Sequence, residues 1–428
     1  MHVATVGLWH LGSVIAACLA EAGFDVVGVD PDLDLVAQLE RGEPAVDEPG
    51  LAELIAACRD AGTLRFAAPS AGVLGDASVV WIAFDTPIGD DDVADPDWVL
   101  ERSSLLLADA APDALVICSS QLPVGSTATL EQRLAAAGRG DLRFAVIPEN
   151  LRVGRALDTF RAPDRFVVGV RNDRDREQLQ SLLEPFAAPI EWMGVESAEM
   201  TKHALNGFLA TSIAWINEVA ALCETVGADA DEVSRGLRSD RRVGAAAYLN
   251  PGGAYGGGTL GRDIGFLAAL AERHALPAKL LSGVAASNSA HREWPQRTLA
   301  ALLGELAGRR VAVWGLTYKP GTNTLRRSDA LVLCHWLANQ EATVRAHDPA
   351  VSELPDASIE LCPTPLEAVS AADALVVCTP WPDYRAVDAG AVIAAMSEPV
   401  VIDAGGFLSD TLGANAAVRY SRVGVRSS

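Results

Sequence analysis

The chain opens on a strand, a glycine turn, a helix, a second strand and an acid, an order that few folds accommodate. Val3 to Val6 reads as a short buried strand, Gly7-Leu8-Trp9-His10-Leu11-Gly12 as the turn, and Ser13 to Ala22 as an apolar helix. The second strand, Asp25-Val26-Val27-Gly28-Val29, stops at Asp30. This is the dinucleotide-binding pattern of a doubly wound parallel sheet, in which the helix N-terminus faces a pyrophosphate. The closing acid takes the adenosine ribose hydroxyls and favours NAD over NADP, whose extra phosphate it would repel. Gly7, Trp9, Leu11, Gly12 and Asp30 are therefore expected at the cofactor, with Trp9 in the place of the middle glycine. His10 is read as a packing or turn residue.

Further strands fit Ser78 to Phe84, Ala114 to Ser119 and Phe144 to Ile147. Loops at the carboxyl ends of parallel strands are where such sheets bind ligands, which adds Thr86 and Ser120 to the cofactor set. From about Glu196 the pattern turns to long helix, and Lys202 and Asn206, four residues apart, share one face. Arg309 to Trp314 then repeats the opening strand and is followed by Gly315-Leu316-Thr317-Tyr318-Lys319-Pro320. A helix from about Ser328 to Asn339 leads to strands at Thr343 to His347, Ala374 to Cys378 and Pro399 to Ile402. The expected fold class is α/β: two doubly wound Rossmann-like domains joined by a central helical domain. The expected boundaries are 1–195, 196–300 and 301–428.

Between the two halves lies Pro251 to Asp263, in which six of thirteen residues are glycine. Such a segment carries few side chains and lets its backbone N–H groups approach a ligand closely. A flexible surface loop is the simplest reading of an isolated glycine cluster, but nucleotide-fold patterns flank this one on both sides.

Composition narrows the partners. A formal charge of −22 argues against a nucleic-acid binder, since phosphate contact needs clustered Lys and Arg. Mean hydropathy is +0.19, yet no run of about 18 residues is uninterruptedly apolar, so no membrane span is expected. The N-terminus lacks a basic region followed by a long apolar run, and none of the seven cysteines forms a C-x-x-C pair. Reduced thiols in a cytoplasmic protein are expected on these grounds. Asp90-Asp91-Asp92 is read as a solvated turn, and no metal site is expected.

Taken together, the residues resemble the UDP-glucose/GDP-mannose dehydrogenase family over nearly the whole chain. The resemblance rests on Glu48-Pro49-Gly50-Leu51, Pro123-Val124-Gly125, Pro148-Glu149, Lys202 with Asn206, and Arg242-Val243-Gly244. It continues through Gly256-Gly257 with Asp263, Tyr318-Lys319-Pro320, Arg326-Arg327-Ser328 and Asp348-Pro349. The family oxidises the C6 hydroxymethyl group of a nucleotide sugar twice, with two NAD⁺, and releases a uronic acid. The resemblance implies a homodimer with a nucleotide-sugar substrate. It also implies a catalytic set of Lys202, Asn206, Thr259, Asp263 and Glu149, and a substrate-binding set of Leu151, Arg152, Tyr248, Gly253, Tyr255, Gly256, Lys319 and Arg326.

Four departures stand beside these matches. The family's glycine loop carries a cysteine that captures the aldehyde as a thiohemiacetal; the position is Thr259 here, a far weaker nucleophile. Arg262 replaces a lysine, Gln121 a water-positioning threonine, and Val153 a second acid. All four belong to the second oxidation, whereas Lys202 and Asn206 serve the first. The expected activity is a single two-electron oxidation to an aldehyde or ketone. The alternatives are the family's four-electron reaction and a catalytically silent nucleotide-sugar binder.

Overall fold

Eight strands form the first sheet: β1 (His2–Val6), β2 (Asp25–Val29), β3 (Leu64–Ala67), β4 (Val79–Ile82), β5 (Leu115–Cys118), β6 (Arg143–Val146), β7 (Phe166–Val170) and β8 (Ile190–Gly194). They lie in the order β3-β2-β1-β4-β5-β6-β7-β8, and every pair is parallel except β6 with β7. All four residues of β4 and of β5 are buried. That is why these strands read as continuous apolar runs rather than alternating ones: helices cover both faces of the sheet. The strand order reverses between β1 and β4, the crevice where such sheets take a ligand.

This computed structural model describes residues 1–87, 89, 94–149, 151 and 154–426. The aspartate run at 90–92, Arg152 and Val153 lie outside the described residues. The chain divides into two compact units, Met1–Ala204 and Leu205–Ser428, with the division falling inside one 32-residue helix, Val195–Val226.

The second unit holds a six-stranded sheet: β9 (Arg310–Trp314), β10 (Thr343–His347), β11 (Ile359–Leu361), β12 (Ala374–Val377), β13 (Val400–Asp403) and β14 (Arg419–Ser421). Its order, β11-β10-β9-β12-β13-β14, is parallel throughout and reverses between β9 and β12. The chain end is tied to the helices of the same unit. Glu224 accepts the Gly424 N–H at 2.8 Å and the Trp294 indole N–H at 3.2 Å, and Ala230 donates to the Gly424 carbonyl at 3.0 Å.

Five strands fall outside the runs legible in the sequence: β3, β7, β8, β11 and β14. β3, β8, β11 and β14 each carry a charged residue within three to five positions, which breaks the apolar run by which β4 and β5 are read; β7, apolar throughout, is missed for no such reason. All seven cysteines are free thiols, and all but Cys378 are buried. Among the described residues no helix is long and apolar enough to cross a membrane, and no cluster of metal-ligating side chains occurs.

Candidate active site

The first turn is built around two glycines. Gly7 has φ +89°, and a side chain there would stand 2.6 Å from the Phe84 ring. A Cβ on Gly12 would lie 1.6 Å from the Gly7 carbonyl oxygen, so the helix Leu11–Glu21 starts directly on that turn only because position 12 has none. Trp9 is not among the positive-φ residues, and its indole is 54% exposed. The turn therefore forms without a glycine in the middle. His10 is buried, with Nε2 3.1 Å from Glu48, whose carboxylate also accepts the N–H groups of Gly154 and Ala156. Leu11 packs in the core of the first unit, which leaves only its backbone to face a ligand.

Asp30 follows β2 and accepts the Leu8 N–H at 2.7 Å on one oxygen and the Asp32 N–H at 2.8 Å on the other. Burial raises its carboxyl above the ordinary range, partly offset by these two N–H bonds. Each oxygen keeps a lone pair for a ribose hydroxyl. Nearby, Thr86 donates to the Gln121 carbonyl at 2.7 Å, and Ser120 Oγ is buried without a hydrogen-bond partner among the described residues. An acid with spare acceptor sites, a helix N-terminus closed on a glycine turn and an unmatched hydroxyl all fit a dinucleotide.

The second unit repeats this geometry and then closes it. The Leu316 N–H donates to Asp348 at 2.7 Å and the Ala350 N–H donates at 2.9 Å, matching the bonds of Leu8 and Asp32 to Asp30. One oxygen of Asp348 also accepts Thr317 N–H at 2.9 Å, Thr317 Oγ1 at 3.0 Å and the Trp381 indole N–H at 3.0 Å. Those donors occupy the oxygen that a ribose would need. The open space lies elsewhere in this unit, in a cavity of about 330 Å³ at the carboxyl ends of β12 and β13. Gly253, Gly256, Tyr318, Lys319, Arg292 and Arg327 line it, giving a bare backbone wall and three cations against one carboxylate, Asp329, which stands 3.4 Å from Arg292.

The catalytic candidates fall into two groups, one in each unit. In the first, Lys202 Nζ donates to the Glu149 carbonyl at 2.6 Å and stands 3.6 Å from the Glu149 carboxylate. The helix Val195–Val226 is held in register there by Glu199, which accepts Gly125 N–H at 2.6 Å and Thr127 N–H at 3.0 Å at the start of the helix Ser126–Ala136. Buried His203 adds a bond from Nε2 to the Leu122 carbonyl at 2.9 Å. In the second unit, Asn206 donates to Asp263; both are buried, and Asp263 sits in the first turn of the helix Arg262–Arg273. Thr259 is exposed on a single π-helical turn, Gly257–Gly261, that runs into this helix. Such turns recur at functional sites.

The substrate candidates are more scattered. Gly253, Gly256 and Lys319 line the cavity. Tyr255 does not: its ring is buried with Ala210, Ala214, Ile264 and Val284. Arg326 is exposed and not among the lining residues, whereas Arg327 is. Tyr248 is largely exposed, and Leu151 packs on the core of the first unit while its N–H donates to Glu149 at 2.8 Å. Sequence reasoning misses Asn217, Asn288 and His291, which hold the glycine segment. The spacing of Asn288 and His291, three apart on one helix, is the available signal.

Comparison with known proteins covers both units. The UDP-glucose/GDP-mannose dehydrogenase family matches in three parts: its NAD binding domain over residues 1–187, its central domain over 196–290 and its UDP binding domain over 312–410. The UDP-glucose 6-dehydrogenase of Pseudomonas aeruginosa is 38% identical over 421 residues, covering 94% of this chain and 93% of its own. That of Haloferax volcanii is 35% identical, covering 94% and 96%. A UDP-glucose dehydrogenase structure from Pyrobaculum islandicum superposes with a TM-score of 0.84 at 30% identity, covering 94% and 93%.

Proposed function

Because the chain belongs to the UDP-glucose/GDP-mannose dehydrogenase family, whose members are NAD-dependent nucleotide-sugar dehydrogenases, we propose that it oxidises one alcohol carbon of a nucleotide sugar once and releases an aldehyde or ketone. What supports this reading is Thr259, exposed on the turn Gly257–Gly261, at the position to which the resemblance assigns the family's thiol. A neutral hydroxyl without an activating base does not trap an aldehyde as a thiolate does.

NAD⁺, where bound, would supply the hydride acceptor for the carbinol carbon. In this reading the chain binds its adenosine ribose through Asp30 and receives its pyrophosphate at the turn from Gly7 to Gly12, with Thr86 and Ser120 at the rim. Lys202 stabilises the alkoxide as the hydroxyl proton passes to a water, with Glu149 orienting the ammonium group. Asn206, held by Asp263 in the second unit, is the positioning donor that the resemblance implies. Lys319, Gly253 and Gly256 receive the nucleotide diphosphate in the cavity of the second unit, which Arg327 also lines, and Arg326 is kept as a substrate contact on the resemblance. Leu151, Arg152 and Tyr248 are kept as substrate contacts on the resemblance alone. The domain division at 196 and 301 is proposed on the same ground.

The test is incubation with NAD⁺ and a panel of UDP-, GDP- and TDP-sugars, with products identified by mass. The expected product is lighter than its substrate by two hydrogens. An acid that has gained oxygen would support the four-electron reading instead.

We also propose a homodimer. Phe208, Trp215 and Leu222 are spaced seven residues apart on the long helix and are 67%, 46% and 65% exposed, with Leu205 and Val226 continuing the stripe. A large apolar stripe of heptad spacing on one helix is self-complementary, so a second copy of the chain can cover it. Trp215→Glu is expected to turn a dimer into a folded monomer in sedimentation velocity. A wild-type chain that sediments as a monomer at micromolar concentration contradicts this.

A further inference from the structure

The glycine-rich segment ahead of Thr259 has almost no side chains with which to hold itself, yet its backbone is fixed. Asn217, on the long helix, accepts the Gly252 N–H at 3.0 Å and donates to the Gly253 carbonyl at 3.3 Å. Asn288, on the helix Lys279–Arg292, accepts the Tyr255 N–H at 2.9 Å and donates back to the Tyr255 carbonyl at 3.0 Å. His291, one turn further, bonds the Gly252 carbonyl at 2.7 Å, which makes Nε2 the protonated nitrogen. The three side chains are 1%, 4% and 9% exposed. Each amide presents an acceptor and a donor together, as a neighbouring strand would, to a segment that belongs to no sheet.

The position of this segment matters because of the turn it leads into. Two residues past Tyr255 the chain enters the π-helical turn bearing Thr259. A Cβ on Gly256 would meet the Tyr318 ring at 2.8 Å, so the turn sits on that ring with no slack. Gly253 and Gly256 are also walls of the cavity. A shift of the segment by an ångström therefore moves both the turn and the cavity wall. Positioning errors of that size are costly in catalysis.

We propose that Asn217 and Asn288, with His291 as the third member, are positioning residues of the reaction: a side-chain clamp that substitutes for sheet pairing and sets the turn carrying Thr259. The proposal rests on the reading that this turn meets the substrate. Neither asparagine touches the reacting atoms; both act through the backbone they hold. Asn288→Asp is the sharpest variant, since it keeps the volume and the acceptor for Tyr255 N–H but sets a carboxylate oxygen against the Tyr255 carbonyl.

The test uses the full chain with Asn288→Asp, Asn288→Ala and Asn217→Ala. Amide hydrogen exchange across residues 252–261 should quicken by about tenfold or more, the effect of losing one buried hydrogen bond, while exchange in β1 to β6 is unchanged. With UDP-glucose as the probe, kcat should fall by about tenfold or more while NAD⁺ affinity stays within about twofold. Unchanged exchange across 252–261, or a loss of NAD⁺ affinity that tracks the loss of kcat as general unfolding would, overturns the clamp. The exchange arm needs no substrate. It decides the clamp even where the wild-type product proves to be an acid or UDP-glucose is not turned over, outcomes that count against the substrate reading alone.

Discussion

Replacing Lys202 by alanine is expected to lower kcat by about two to three orders of magnitude, the usual worth of a donor fixed on a developing oxyanion, while leaving NAD⁺ affinity within about threefold. The Lys202 ammonium is anchored at 2.6 Å to the Glu149 carbonyl and faces the Glu149 carboxylate at 3.6 Å. Both contacts lie at the loop after β6, so the charge is held in place before substrate arrives. As hydride leaves the carbinol carbon, the oxygen must lose its proton, and a fixed cation beside it lowers that barrier most as charge develops. Lys202→Met keeps the stem and should be nearly as damaged as Lys202→Ala, which separates charge from packing. Lys202→Arg restores the charge but spreads it over a planar fork, and it should recover only part of the rate. Steady-state NADH production checks all three. A kcat within about twofold of wild type in Lys202→Met removes Lys202 from the chemistry.

Asp30→Ala should raise the dissociation constant of NAD⁺ by about ten- to a hundredfold, the range spanned by hydrogen bonds to a charged acceptor. The loss has two sources: the ribose acceptor disappears, and Leu8 and Asp32 lose the oxygens that order the turn. The same residue gives the cofactor site a pH dependence. Burial lifts the Asp30 carboxyl above its ordinary value of 3.8 in the folded chain. Ribose hydroxyls bind the ionised form, so affinity is full above the raised value and falls as pH drops through it. Fold stability runs the other way. A raised carboxyl contributes stability that is present below its ordinary value and lost as pH rises through the raised one. Calorimetric titration of NAD⁺ from neutral to mildly acidic pH should show the decline in wild type and not in Asp30→Asn. A decline of equal size in Asp30→Asn assigns it to another group.

Both sheets are legible in the sequence because their opening units carry three signals at once: an apolar run, a glycine turn and an acid at a fixed distance. Asp30 and Asp348 show how far that legibility reaches. In sequence they are equivalent, and each accepts the N–H of its glycine turn at 2.7 Å. Only the structure shows the Trp381 indole, 33 residues on, filling the second site. The role of Tyr255 is hidden for a similar reason. A tyrosine inside a glycine-rich ligand loop looks like a contact residue, but its ring reaches the helical core, and only its backbone faces the clamp. Trp9 marks the opposite limit. A pattern can name the residue that breaks it but not the φ angle, and the middle position here needs no positive φ. The short edge strands β11 and β14 pair with one neighbour each and are too brief to carry a period.

On the proposed reading, oxidation halts after one hydride because position 259 holds a hydroxyl where the resemblance implies a thiol. The most direct measurement is the amount of NADH formed when a limiting nucleotide sugar is consumed to completion by the wild-type chain. One NADH per sugar, with an aldehyde or ketone as the only oxidised product, is the predicted result. Two NADH per sugar, with a uronic acid as product, would contradict it.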